Sequence, residues 1–102
     1  MYQRNQQSGE GEVFRTRTPR GREVFGWVEA TLGASRFKVI CSDGKERICR
    51  MPGSNKRDMW VKLGDLVLIE PWEIEPAEKG DVVFRYTRTQ VEWLRRKGII
   101  KE

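Results

Sequence analysis

Histidine is absent from the 102 residues, which removes the commonest general base and the commonest zinc ligand together. Cysteine is scarce: Cys41 and Cys49 are the two in the chain. Two thiols without further ligands make a poor metal site. Between them, Asp43-Gly44 reads as a two-residue hairpin turn. That turn sets residue 42 opposite 45, 40 opposite 47 and 38 opposite 49. Cys41 then lies opposite Glu46 and points to the other face from Cys49, so the expectation is two reduced thiols and no bridge. Hydrophobic residues are also few, at 37 %. No apolar run approaches the ~18 residues that cross a bilayer, and the polar start does not read as a signal peptide. A soluble cytoplasmic monomer without cofactor or metal is expected.

Charge is plentiful instead. Charged residues make up 34 % of the chain, and twenty Lys and Arg against fifteen Asp and Glu give a net charge of +5. A basic balance of this kind suits an anionic partner, either nucleic acid or an anionic membrane surface. The length suits one compact domain.

Along the chain, residues 1–22 hold five Arg and two Glu among Gln, Gly, Ser and Pro, and read as a flexible basic arm. From residue 23 the pattern changes to short strand candidates with turn chemistry between them. EVFGWVEATLG places Gly26, Val28, Ala30 and Leu32 on one side, and Phe25, Trp27 and Thr31 on the other. Gly33-Ala34-Ser35 turns the chain into RFKVIC, and Asp43-Gly44 turns it into KERICRM. The apolar run LVLIEPW comes next, then an acidic connection, then DVVFRYT. Five short antiparallel strands need closure or a cover for their edges. The predicted fold is all-β: a five-stranded OB-fold barrel over 23–87. Residues 88–102 supply a C-terminal helix and tail packed on the barrel. Thr89 with Glu92 predicts its capping box and Gly98 its end. Arg95, Arg96 and Lys97 then lie in the last turn, where they suit the helix dipole.

The charge is divided. Residues 45–62 carry six cations and two anions, while 63–86 carry two cations and six anions. In the hairpin register above, Phe37, Val39 and Ile48 face the core, and Arg36, Lys38, Arg47 and Cys49 face outward. Pro52-Gly53-Ser54-Asn55 cannot continue a ladder, so the backbone leaves the barrel and presents Lys56 and Arg57 at its edge. Lys45, Arg50 and Lys62 extend the patch. Trp60 offers either a stacking face for a base or a plug over the barrel end. The candidate RNA-binding set is therefore Arg36, Lys38, Lys45, Arg47, Arg50, Lys56, Arg57, Trp60 and Lys62. A solvated outer face accounts for the alternation equally well.

Taken in order, Leu32-Gly33, Arg36, Cys41-Ser42-Asp43-Gly44, Lys45 through Cys49, Pro52-Gly53, the basic pair before Trp60-Val61, and Gly64-Asp65-Leu66-Val67-Leu68 resemble the translation initiation factor 1A family. DVVFRYT followed by QVEWLRRKG resembles it too. The likeness spans residues 14 to 99. It implies an OB-fold factor that binds the small ribosomal subunit at the decoding (A-site) region and helps place initiator tRNA and mRNA. Other initiation factors would be indirect partners. By position, the resemblance gives rRNA contact to Arg36, Arg50, Lys56, Arg57 and Trp60, and makes the basic arm a tail reaching toward the decoding centre. Ser54, Asn55 and Asp58 depart from the family pattern in the loop. The end at Lys101-Glu102, without the acidic tail of eukaryotic members, looks archaeal.

Two other classes compete. A cold-shock-like binder of single-stranded RNA stacks bases on closely spaced aromatics of its central strands, and here those strands hold one Phe. An enzyme needs a metal cage or an acid–base pair. Glu73, Glu75 and Glu78 are the nearest approach to one, and an acidic loop of this kind is ordinarily just solvated. Catalysis is not expected.

Overall fold

The computed structural model describes residues 16–52 and 61–100. Residues 1–15 of the basic arm, and the loop residues Lys56, Arg57 and Trp60, lie outside the described residues. The chain forms two compact units, Pro19–Arg85 and a second drawn from Met1–Thr18 and Tyr86–Glu102.

The first unit is a closed barrel of β1 (Val24–Gly33), β2 (Arg36–Cys41), β3 (Glu46–Arg50), β4 (Leu66–Pro71) and β5 (Lys79–Arg85), in the order β1-β2-β3-β5-β4. This is the OB arrangement, and closure leaves no free sheet edge. One pair departs from the antiparallel expectation: β3 runs parallel to β5, with Ile48 opposite Lys79 and Arg50 opposite Asp81. Parallel neighbours need a crossover rather than a hairpin, and the chain makes it by inserting β4 before β5.

Val28, Val39, Cys41, Cys49, Met51, Val67, Ile69 and Val82 form the buried core of the barrel. Leu66, Val67, Leu68 and Ile69 are all at most 1 % exposed, so β4 is buried on both faces, as its unbroken apolar run suits. Gly80 is there because the walls are close. A Cβ at that position would sit 2.7 Å from Ile69 Cγ2 and 3.2 Å from the Glu70 carbonyl oxygen.

Strand β1 follows the predicted stripe only as far as Val28. Irregularities between Val28 and Ala30 and between Thr31 and Gly33 leave Ala30 opposite Lys38 and Thr31 opposite Phe37. Each extra residue in a strand reverses the facing of the residues after it. Ala30 and Leu32 therefore do not join the core, and Leu32 is half exposed.

The β2–β3 register also differs from expectation. Arg36 lies opposite Arg50, Phe37 opposite Cys49, Val39 opposite Arg47 and Ile40 opposite Glu46. The Cys41 N–H donates to the Lys45 carbonyl at 2.8 Å, so Ser42, Asp43 and Gly44 form a three-residue loop. Gly44 supplies its left-handed residue at φ 86°, the geometry of a turn ending in a glycine bulge. One extra loop residue slides β3 by one and turns it over. Arg47 and Cys49 thus face inward, and Glu46 and Ile48 face outward. Both cysteines are buried and free, and burial pushes the Cys49 thiol up to about 12.

In the second unit, helix α1 (Arg88–Arg96) starts two residues earlier in its capping box than predicted. Thr87 is the N-cap. The Gln90 N–H donates to Thr87 Oγ1 at 3.2 Å, and the Thr87 N–H donates to Gln90 Oε1 at 2.8 Å. TRTQVE contains two overlapping boxes, and Thr87, with extended φ −79° and ψ 165°, has the cap conformation. Gly98 at φ 74° ends the helix as predicted, and the Ile99 N–H closes back on the Leu94 carbonyl at 2.9 Å. Within the same unit the Tyr86 hydroxyl donates to the Arg17 carbonyl at 2.6 Å. No described helix is long and apolar enough to cross a membrane.

Candidate nucleic-acid interface

The β1–β2 connection sets up one end of the basic face. Gly33 pairs with Arg36 across the two-residue turn Ala34-Ser35, whose φ values are 52° and 61°. Positive φ at both positions matches the right-handed twist of a hairpin, although non-glycine residues pay about 1–2 kcal/mol each there. The Met51 N–H donates to the Ser35 carbonyl at 3.0 Å and so ties the turn to the strand end beside it. This turn delivers Arg36, exposed, to the outer face directly opposite Arg50.

Around that pair stand residues that sequence reasoning missed. The Arg50 guanidinium lies over the Trp72 ring, 5.1 Å from its centroid, within cation–π range. Trp72 Nε1 donates to Asp81 Oδ1 at 2.9 Å, and Arg50 Nε approaches the same oxygen at 3.4 Å. Arg22 donates to the Trp72 carbonyl at 3.0 Å. A cavity of about 170 Å³ opens here, with Arg36, Arg50 and Lys79 around Ile48 and Trp72. A neighbouring cavity of about 380 Å³ adds Arg22, Glu70 and Glu73. Trp72 carried no signal in the sequence beyond following Pro71. Only the β3–β5 pairing brings it, with Lys79 and Asp81, beside the arginines.

At the turn end of the same hairpin Arg47 behaves differently. It is 3 % exposed. Its Nη1 and Nη2 donate to the two oxygens of Asp43 at 3.1 and 2.8 Å, and its Nε donates to the Pro76 carbonyl. The predicted outward placement of Arg47 is therefore corrected: it fastens the β2–β3 turn to the β4–β5 connection from the inner side. The Asp43 hydrogen bond raises the guanidinium's pKa, and the guanidinium in turn holds the Asp43 carboxyl below its ordinary value.

The remaining candidates are spread out. Lys38 faces outward as predicted, but it lies 3.3 Å from Glu46 and 3.8 Å from Glu29. The Glu46 hydrogen bond, then its charge and that of Glu29, raise its pKa. Its charge is already answered on this face. Lys45 is exposed in the turn, its N–H donating to Asp43 Oδ1 at 3.2 Å, about 15 Å of strand away from Arg36. Lys62 is exposed in the β3–β4 connection, where its N–H donates to Asp65 Oδ2 at 2.8 Å. The same carboxylate accepts from Arg85 Nε at 2.9 Å. Lys56, Arg57 and Trp60 lie outside the described residues. Of the nine candidates, the fold brings Arg36 and Arg50 together. Among the described residues, no cluster of three or more Cys, Asp or Glu is arranged to hold a metal ion.

Comparison with known proteins agrees with this architecture. Residues 12–102 match the family described as translation initiation factor 1A / IF-1. The chain is 50 % identical over 91 residues to translation initiation factor 1A of Pyrococcus abyssi, covering 89 % of this chain and 80 % of that protein. It is 50 % identical over 99 residues to the Methanococcus maripaludis S2 protein of the same name, covering 95 % of each. Among solved structures, translation initiation factor IF-1 from the Wolbachia endosymbiont of Brugia malayi superposes with a TM-score of 0.52 at 34 % identity, over 68 % of this chain and 82 % of that one. YjeQ from Thermotoga maritima reaches the same TM-score at 18 % identity, over 65 % of this chain and 23 % of that one, a likeness of fold alone. With the barrel order, the helix that follows it and half of the aligned residues shared with these archaeal proteins, the chain belongs to the translation initiation factor 1A / IF-1 family.

Proposed function

We propose that this chain binds the small ribosomal subunit at the decoding (A-site) region through the outer face of β2, β3 and β5, and there promotes placement of initiator tRNA and mRNA. The observation that carries the reading is the exposed Arg36–Arg50 pair beside Lys79 and the indole of Trp72. Cations set around an aromatic surface are what RNA recognition uses, since phosphates take the charge and unstacked bases take the ring. Family membership supplies the ribosomal context. Lys45, Lys62 and the loop with Lys56, Arg57 and Trp60 extend the footprint, while Arg47 serves the fold. The acidic connection from Glu70 to Asp81 repels phosphate and orients the factor. The protein acts by binding rather than catalysis, as a cytoplasmic monomer. Ribosomal RNA is its direct partner, and initiator tRNA and other factors are indirect ones.

The test is cosedimentation with purified small subunits, read together with protection of rRNA bases. The expected result is stoichiometric binding with protection confined to the decoding region. Protection elsewhere contradicts the reading, and equal affinity for any free single strand favours a general RNA-binding role instead.

A further inference from the structure

We infer that the β4–β5 connection docks a basic protein segment, through an apolar crest of Ile74, Pro76 and Ala77 set between Glu73, Glu75 and Glu78. This goes beyond the RNA-binding reading above, because the partner is a protein and the surface is a different one.

Apolar exposure marks the crest. All six residues from 73 to 78 are exposed, and three of them are apolar. Ile74, at 78 %, is the most exposed large hydrophobic side chain among the described residues. Single exposed aliphatics are ordinary on a protein surface. Several in one short loop, rimmed by polar groups, are the composition of a protein contact.

The loop is already fixed from beneath. Arg47 Nε donates to the Pro76 carbonyl, and Asp43 holds both terminal nitrogens of that buried arginine. The Ile48 N–H donates to the Glu78 carbonyl at 2.9 Å, and the Lys79 N–H to the Glu75 carbonyl at 2.9 Å. A surface that gives up little freedom on binding keeps more of its burial energy as affinity.

Charge selects the partner. Residues 70–81 hold five carboxylates and one cation. Asp81 already answers Arg50, whereas among the described residues Glu73, Glu75 and Glu78 have no Lys or Arg within ion-pair distance. Such a rim repels phosphate and attracts a segment rich in Lys and Arg. The chain's own N-terminal end does not supply one, since residues 1–15 hold two Arg and two Glu. The occupant carries cations around an apolar side chain, which packs on Ile74.

The experiment follows the backbone amides of Ile74 and Ala77 in the whole chain by NMR. The protein is titrated with a short peptide of Lys-Lys-Leu repeats, the same peptide with Gly in place of Leu, and a single-stranded RNA hexamer. The leucine peptide is expected to move both amides and to bind about 10-fold more tightly than the glycine peptide. Ile74→Ser, at an exposed position, brings the two peptides to equal affinity. Glu75→Gln with Glu78→Gln weakens the leucine peptide roughly 3-fold and preserves its advantage over the glycine peptide. The RNA hexamer leaves both amides in place. Equal affinity of the two peptides for wild type would show a charged rim only and overturns the proposal. Movement of these amides with the hexamer assigns the loop to RNA, and their movement with protein concentration alone assigns it to a second copy; either result also overturns it. Small-subunit cosedimentation is measured separately. Failure there with an intact peptide response overturns the ribosomal reading and leaves the docking surface standing.

Discussion

At the turn end of the β2–β3 hairpin, Arg47 is 3 % exposed, with both terminal nitrogens on Asp43 and its Nε on a carbonyl of the β4–β5 connection. At the other end of the same hairpin, Arg36 and Arg50 face each other in the open, with Trp72 beneath Arg50. These are the same residue type a few positions apart, and their jobs differ. A buried guanidinium whose three nitrogens are each hydrogen-bonded inside the protein contributes to stability and offers nothing to a ligand. An exposed one set against its like costs the fold a little, and apart from the Arg50 Nε contact with Asp81 its donors face solvent. Charge counted along the sequence cannot separate these two cases, because facing and the nearest carboxylate decide between them.

The contrast between the two ends is largest on stability, and at Arg47. Arg47→Ala removes two charge-assisted hydrogen bonds to Asp43, which lies exposed in the turn, and leaves the Pro76 carbonyl without its donor. The expected loss from these hydrogen bonds and the buried side chain is about 3 kcal/mol, or at least about 12 °C in Tm, measured by calorimetry. Binding to small subunits below the transition should be unchanged. Asp43→Asn keeps one acceptor oxygen for Arg47 and should cost less, about 1.5 kcal/mol at neutral pH. It also isolates the ion pair through pH. The folded-state pKa of Asp43 lies below its ordinary 3.8. Its stabilisation is therefore full above that value and is lost as pH falls through the lower folded pKa. Acid unfolding of wild type should show this loss, and Asp43→Asn should lack it. The smallest stability effect belongs to the exposed end, where Arg36→Gln should stay within about 0.5 kcal/mol of wild type.

The five strands were legible because each is short, apolar and bounded by turn residues, and barrel closure follows from having that many edges in so small a chain. Register was not legible in the same way. Asp43-Gly44 suits a two-residue turn, yet Gly44 serves as the bulge residue of a three-residue loop, and one residue reverses every side chain of β3. Ile48 and Cys49 are both apolar, so either parity gives β3 a plausible core position. The predicted pairing of Glu46 with Cys41 puts a carboxylate on the same side as Val39 in the core, and the observed register places it outside beside Lys38. The bulge after Val28 had no comparable signal. Arg36 has outward parity in either register. The predicted register gave Arg50 the inward parity of Ile48, and the extra loop residue is what turns it outward opposite Arg36. Trp72, Lys79 and Asp81 were not legible, because a parallel pair between β3 and β5 joins segments about thirty residues apart, and no local pattern encodes it.

If the grip on RNA comes from the Arg36–Arg50 end of the hairpin and not from the Arg47 end, salt should reveal it. The deciding quantity is the salt dependence of small-subunit binding for wild type, for Arg36→Gln with Arg50→Gln, and for Arg47→Ala below its melting transition. The expected slope is reduced by about 1.4–1.8 in the double variant, for two lost phosphate contacts, and is that of wild type in Arg47→Ala. A wild-type slope in the double variant, with a reduced one in Arg47→Ala, would place the grip at the wrong end of the hairpin and overturn this assignment.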